Sequence, residues 1–276
     1  MNLGKMKKHC GNMVMVVAFM ACLLLETTCH ATEPPSTAEN STMNVQLQQQ
    51  RRVVNRRLLG LTDATTFSSY LFALQWPPGA CATGMLCQGN IPADFTIHGL
   101  WPQDSNNKGV PAYGTDKSCT TLTPVPPNKL IVELQKGNLV GDLTNVWPTL
   151  KNTNSAQENQ KFWEYEWGKH GMCSDYGDKP AVYFKAAIDL RNHFVSVLKL
   201  QSGQSYKVQE IADKVKAAVK GTPEIACRTK KGTNQKILGE VRLCYNKGNP
   251  TPKGIRDCTR AYSGNCNSVQ DVIAVL

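Results

Sequence analysis

The stretch FWEYEWGKHG, residues 162–171, places a carboxylate (Glu166), an ammonium (Lys169) and an imidazole (His170) within a few positions of one another. Read as a helix, positions three and four apart share a face, so the three groups meet at its last turn, with Gly171 placed to end it. They suit the cleavage of a phosphodiester by a neighbouring hydroxyl, as when RNA is cut through its own 2′-hydroxyl. That reaction needs a base for the hydroxyl proton and an acid for the leaving 5′-oxygen. It also needs cations or donors beside the charge that builds on phosphorus. Histidine serves either proton transfer because its ordinary pKa, about 6.5, lies near working pH. One imidazole cannot stand on both sides of an in-line displacement, so a second is required. Of five histidines, His9 and His30 fall in an N-terminal leader, leaving His98 and His193 as partners for His170. His98 ends the alternating segment Phe95-Thr96-Ile97-His98 before Gly99, and strand ends often present reacting groups. His193 lies mid-helix between Asn192 and Phe194 and reads as a helix-surface residue. Glu164 and Glu166 make a poor glycosidase pair, since two positions apart on a helix they face different ways.

The elements that must position these groups follow from periodicity. A helix over 159–170 carries Trp163 and Trp167 on a stripe that can bury, beside the face of Phe162, Glu166 and His170, so one helix can serve both core and chemistry. Tyr70–Trp76 reads as a strand ended by Pro77-Pro78, and Phe95–His98 as a short strand stopping at Gly99. Further helices are predicted near 128–136, 180–200 and 207–220. The last places Val208, Ile211, Val215 and Val219 on one face and stops at Gly221. Val241, Leu243 and Tyr245 alternate, implying a late strand. Strands at both ends with helices between give a single α+β domain over 67–276.

The chain has 276 residues, 41% of them hydrophobic, which is enough for a substantial core, and a formal charge of +10 that points to a polyanionic partner. Residues 1–31 read as an export signal. Lys5, Lys7 and Lys8 precede the apolar run Met13–Leu25, which is too short to span a bilayer, and Cys29-His30-Ala31 offers a cleavage site. Residues 32–66 read as a disordered extension, polar and free of cysteine, with the glycosylation sequon at Asn40. Its arginine pairs, Arg51-Arg52 and Arg56-Arg57, leave open a propeptide trimmed near Arg57 or a permanent solvated tail. Eight cysteines remain after the leader: Cys81, Cys87, Cys119, Cys173, Cys227, Cys244, Cys258 and Cys266. An even number in an exported chain implies disulfides, although on the order of 100 pairings are open. No CxxC or histidine pair accompanies them, so a zinc site fails on spacing, and no cofactor or metal is expected.

FTIHGLWP at 95–102 and WEYEWGKHGMC at 163–173 resemble the two active-site segments of the ribonuclease T2 family, the secreted acid ribonucleases. LQWPPGAC at 74–81 and WPTL at 147–150 resemble further segments of its plant members, so the likeness covers roughly 67–266. The resemblance implies a disulfide-stabilised α+β domain with a central antiparallel sheet and several helices. It implies a secreted, monomeric endoribonuclease that cleaves single-stranded RNA through a 2′,3′-cyclic phosphate, without metal and without a membrane once the leader is gone. His98 and His170 would be the acid–base pair, with a lean to His170 as base and His98 as acid. Glu166 and Lys169 would hold the phosphoryl oxygens. Trp101 would offer a face for a base, and Gln75, Trp76 and Tyr165 would lie on the substrate side. The implied disulfides are 81–87, 119–173, 227–266 and 244–258. Where many members carry a phosphate-holding histidine, this chain has Tyr165, and the helix pattern favours a core ring over a phosphate-binding hydroxyl. The competing reading is a secreted RNA-binding or recognition protein with weak or lost catalysis, including a role in self-incompatibility; within the ribonuclease reading, the basic charge speaks for the pistil type or a basic defence enzyme. The C-terminal DVIAVL reads as a packed strand; a sorting tail to the vacuole is the alternative to plain secretion.

Overall fold

Strand β1 (Ser69–Gln75) is buried along nearly its whole length, because neighbours cover it on both sides. It pairs with β2 (Thr96–Gln103) and with the long β5 (Lys236–Asn246), and β5 pairs in turn with β4 (Glu224–Thr229), all antiparallel. The sheet is completed by β7 (Tyr262–Gly264) on β4, β6 (Ile255–Arg256) on β5, and β8 (Val272–Val275), which pairs with both β5 and β3 (Gln204–Lys207). Two pairings, β4 with β7 and β5 with β8, are parallel, and the β3–β8 and β5–β6 pairings are antiparallel like those of the central strands. This computed structural model describes residues 67–276 apart from 88, 152–154, 249 and 251. The expected leader, the extension, Asn40 and the arginine pairs lie outside the described residues.

Helix α1 (Pro77–Cys81) starts with proline in its first turn, where the missing N–H costs nothing. A single 3-10 turn over Pro127–Lys129 opens α2 (Leu130–Lys136), and α3 (Val140–Val146), unanticipated, is too short for its periodicity to register. Helix α4 (Ala156–Lys169) is capped by the Ser155 hydroxyl, which accepts the Glu158 N–H at 3.1 Å. α5 (Pro180–Val197) and α6 (Val208–Val219) follow. Lys220, rather than Gly221, takes the left-handed turn that stops α6, with φ 69°. Trp147, Trp163, Trp167, Tyr183 and Phe184 fill the space between helices and sheet. The indoles of Trp163 and Trp167 satisfy their N–H groups on the Trp147 and Val125 carbonyls, both at 2.7 Å. Four disulfides, 81–87, 119–173, 227–266 and 244–258, staple this core. The C-terminal segment is a packed strand, with Ile273 and Val275 buried.

Candidate active site

Strand β2 does not stop at Gly99 but runs on to Gln103. It lies at the outer end of the strand order, where Pro102 withholds no central ladder bond, and the Pro102 carbonyl accepts the Val110 N–H at 3.1 Å. His98 is therefore within the strand, and a bulge presents it. Ala73 pairs with Gly99 and Leu74 with Ile97, leaving His98 as the extra residue. A second bulge lies on β5, where Ala226 pairs with Glu240 and Cys227 with Leu238, leaving Gly239 over. The two irregularities let His98 Nδ1 reach Glu240 Oε1 at 2.7 Å. The Trp147 indole holds the His98 carbonyl at 3.1 Å.

Glu240 is only 3% exposed and is compensated on both sides. Arg242 donates to its Oε2 at 2.7 Å and to Glu224 at 2.7 Å, and Arg260 meets Glu224 at 3.0 Å. Burial opposes the charge of Glu240, but His98 and Arg242 outweigh it and hold its pKa down to about 2. Burial likewise opposes charge on His98. The Glu240 hydrogen bond and charge, with Glu166 adding, exceed that penalty and raise its pKa above the ordinary 6.5.

Helix α4 delivers the other half. His170 caps it, its N–H donating to the Glu166 carbonyl at 2.9 Å, and the chain turns away through Gly171. A β-carbon at Gly171 would run into the Trp167 ring, so glycine is what allows the turn to sit on the core. The 119–173 disulfide anchors the segment just after His170. Burial first, then Lys169 and His98, lowers the His170 pKa to about 3. Glu166 is 2% exposed, and burial raises its pKa against the opposing pull of His98, Trp101 and Lys169.

Trp101 joins the two halves. Its ring lies edge-on to His98, with centroids 5.0 Å apart, and 5.3 Å from the His170 ring, and its Nε1–H donates to Glu166 Oε2 at 2.9 Å. The Arg242 guanidinium approaches the same indole at 5.7 Å, so Trp101 organises the cluster as well as offering a surface. A β-carbon at Gly99 would strike both Trp101 Nε1 and Glu166 Oε2, which explains why glycine follows His98. Beside the cluster opens a cleft of about 440 Å³ lined by His98, Glu166, Gln75, Tyr165, Phe162 and Lys161, among others.

Two expectations are corrected. Tyr165 is 57% exposed and its hydroxyl accepts the Lys169 ammonium at 3.1 Å, because Trp163 and Trp167 already fill the core side of α4. Trp76, placed with Gln75 on the substrate side, is 4% exposed, donates to the Leu276 carbonyl at 2.9 Å and packs on Phe95. Residues 75 and 76 point to opposite faces, as neighbours at a strand end do. His193 stays on α5, outside the cleft lining. Glu240 and Arg242 were missed, whereas Phe162, expected on the reacting face of the helix, lines the cleft. The alternation of Val241, Leu243 and Tyr245 implied a second face for Glu240 and Arg242, which was the one available signal.

The Ribonuclease T2 family model matches residues 67–258. Ribonuclease MC of Momordica charantia is 33% identical over 206 residues, covering 72% of this chain and 97% of its own. The solved structure of ribonuclease MC1 from bitter gourd seeds superposes with a TM-score of 0.60 at 30% identity, over 75% of this chain and all of that one. A tyrosine-to-alanine variant of that enzyme, solved with 5′-UMP, superposes at 0.59 and 30% identity, over 76% of this chain and 98% of its own.

Proposed function

The chain belongs to the ribonuclease T2 family, and from that premise we propose that it is a secreted endoribonuclease cutting single-stranded RNA by transphosphorylation, with its own side chains filling every catalytic role. The observation that carries the reading is the pair of imidazoles packed on one indole with protonation pushed in opposite directions. His170, held neutral, takes the proton of the 2′-hydroxyl. The 2′-oxygen attacks phosphorus, the bond to the 5′-oxygen breaks, and His98, held protonated by Glu240, gives that oxygen its proton. The products are a 2′,3′-cyclic phosphate and a 5′-hydroxyl. Lys169 offsets the charge that develops on the phosphoryl oxygens. Glu166, whose raised pKa lets it keep a proton in acid, can donate a hydrogen bond to one of them. Phe162 and Tyr165 provide aromatic surface in the cleft, and Gln75 a polar contact. The 5′-UMP in the complex of the ribonuclease MC1 variant supports a nucleotide ligand for this chain too.

Incubation of the purified protein with RNA in excess chelator tests this directly. Cleavage to cyclic phosphate ends is expected to persist with chelator and to fall by about 10²–10⁴ in His170→Ala. Cleavage lost with chelator, or undiminished in the variant, defeats the mechanism.

A further inference from the structure

The cleft does not end at His98. A second depression of about 440 Å³ shares Gln75, Met85 and His98 with the first and continues past β5 to Arg228, Thr229 and Asn265. Arg228 is the cation of this extension. Its side chain is 44% exposed, its stem lies over Gly239, and its Nη2 stands 3.8 Å from Glu240 Oε1. That distance is too long for a hydrogen bond. Glu240 is already committed, Oε1 to His98 and Oε2 to Arg242, each at 2.7 Å. The guanidinium thus has donors to spare at the wall of an open pocket, and makes no hydrogen bond among the described residues. Beside it, the Thr229 hydroxyl accepts the Asn265 amide at 2.9 Å, which leaves its own O–H free to donate. Lys231 packs its stem against Gly84, between the lining residues Thr83 and Met85, with its N–H fixed on the Ala82 carbonyl at 2.9 Å.

We propose that this extension is a subsite for a second phosphodiester of the same RNA strand, one linkage removed from the bond that is cut, with Arg228 as its main ligand and the Thr229 hydroxyl as a second donor. The assignment rests on the ribonuclease reading of the neighbouring cleft. Donors without acceptor partners suit an anion. Beyond the His98 imidazole, no aromatic side chain among the described residues lines the extension, so it takes backbone and leaves base recognition to the Phe162 side. The cleft lined by Lys151 and Lys161 and the extension lined by Arg228 meet at His98, which puts cations on both sides of the reacting phosphate. A strand longer than a dinucleotide would gain from both.

The experiment compares a dinucleotide with a hexanucleotide carrying one cleavable ribose linkage among 2′-deoxy neighbours. Arg228→Gln should lower the hexanucleotide-to-dinucleotide ratio of kcat/KM about tenfold, the loss of one charge-assisted contact. The slope of log(kcat/KM) against log[salt] for the hexanucleotide should flatten by about 0.7, one phosphate's share on a single strand. Arg228→Lys should restore most of both. An equal loss on the two substrates would mean that Arg228 acts through Glu240 and His98, and would overturn the subsite; so would an unchanged ratio. Fluorescence titration with an uncleavable all-2′-deoxy hexanucleotide separates this from the catalytic reading. Equal affinity of wild type and Arg228→Gln removes the subsite whether or not the chain cuts RNA.

Discussion

His98 and His170 pack against the same indole, yet the regions that hold them differ in kind. On the sheet, His98 occupies a bulge, faces a buried carboxylate and is held up in pKa by it. At the end of α4, His170 is half-buried beside an ammonium, and desolvation and that charge take its pKa down to about 3. Both imidazoles meet the same kind of desolvation penalty, so the partner decides the protonation state. In the proposed mechanism the sheet half supplies a proton and the helix half receives one. Opposed pKa values on neighbouring groups are what a general acid and a general base require at a single pH.

The largest expected effect comes from removing either ring. His98→Ala and His170→Ala should each lower kcat/KM by about 10²–10⁴. The pH profiles separate them. In the wild type, activity is lost as pH rises through the His98 pKa, above 6.5, and as pH falls toward about 3, where His170 gains its proton. The residual activity of His98→Ala should lack the alkaline limb, and that of His170→Ala the acid limb. Exchanged limbs would reverse the roles and break the contrast between sheet and helix.

A smaller change sharpens the same contrast. Glu240→Gln keeps the size and a hydrogen-bonding group but withdraws the charge that holds His98 protonated. Burial then dominates, and the alkaline limb should move to below pH 6.5, with kcat near neutrality reduced about tenfold. A variant that melts earlier but keeps its alkaline limb would show Glu240 to be a structural residue only.

Why the helix half could be read from the sequence, and the sheet half less well, follows from range. Trp163, Trp167, Glu166 and His170 are related by one helical period, so core stripe and reacting face were visible in ten letters. His98 and Glu240 are brought together by the registers of β1 with β2 and with β5, which no local pattern encodes. The continuation of β2 through Gly99 and Pro102 was hidden for a similar reason, since both residues read as terminators unless the strand is known to be outermost. Glu240 and Arg242 went unassigned, because alternation reveals a second face without saying what covers it. Tyr165 was misjudged from its type: an aromatic on α4 suggested core, but the two tryptophans had taken the space. Disulfide partners were accessible only through the family resemblance, being one choice among on the order of 100.

The smallest effect is expected at Tyr165, on the exposed side of the helix half. The phenol lies at the cleft, 57% exposed, and holds the Lys169 ammonium at 3.1 Å. Tyr165→His would release that ammonium toward substrate and add an imidazole that carries charge below about pH 6.5. Exposure keeps each gain modest, because solvent screens both cations. KM for RNA should therefore fall about threefold at pH 5, the benefit should shrink by pH 8, and kcat should change little, since neither proton transfer passes through this position. The difference between the two pH values carries the argument: an equal fall at both would credit the freed Lys169 alone. A KM that stays the same or rises would mean that the Tyr165 hydroxyl already serves the phosphate as well as a histidine could.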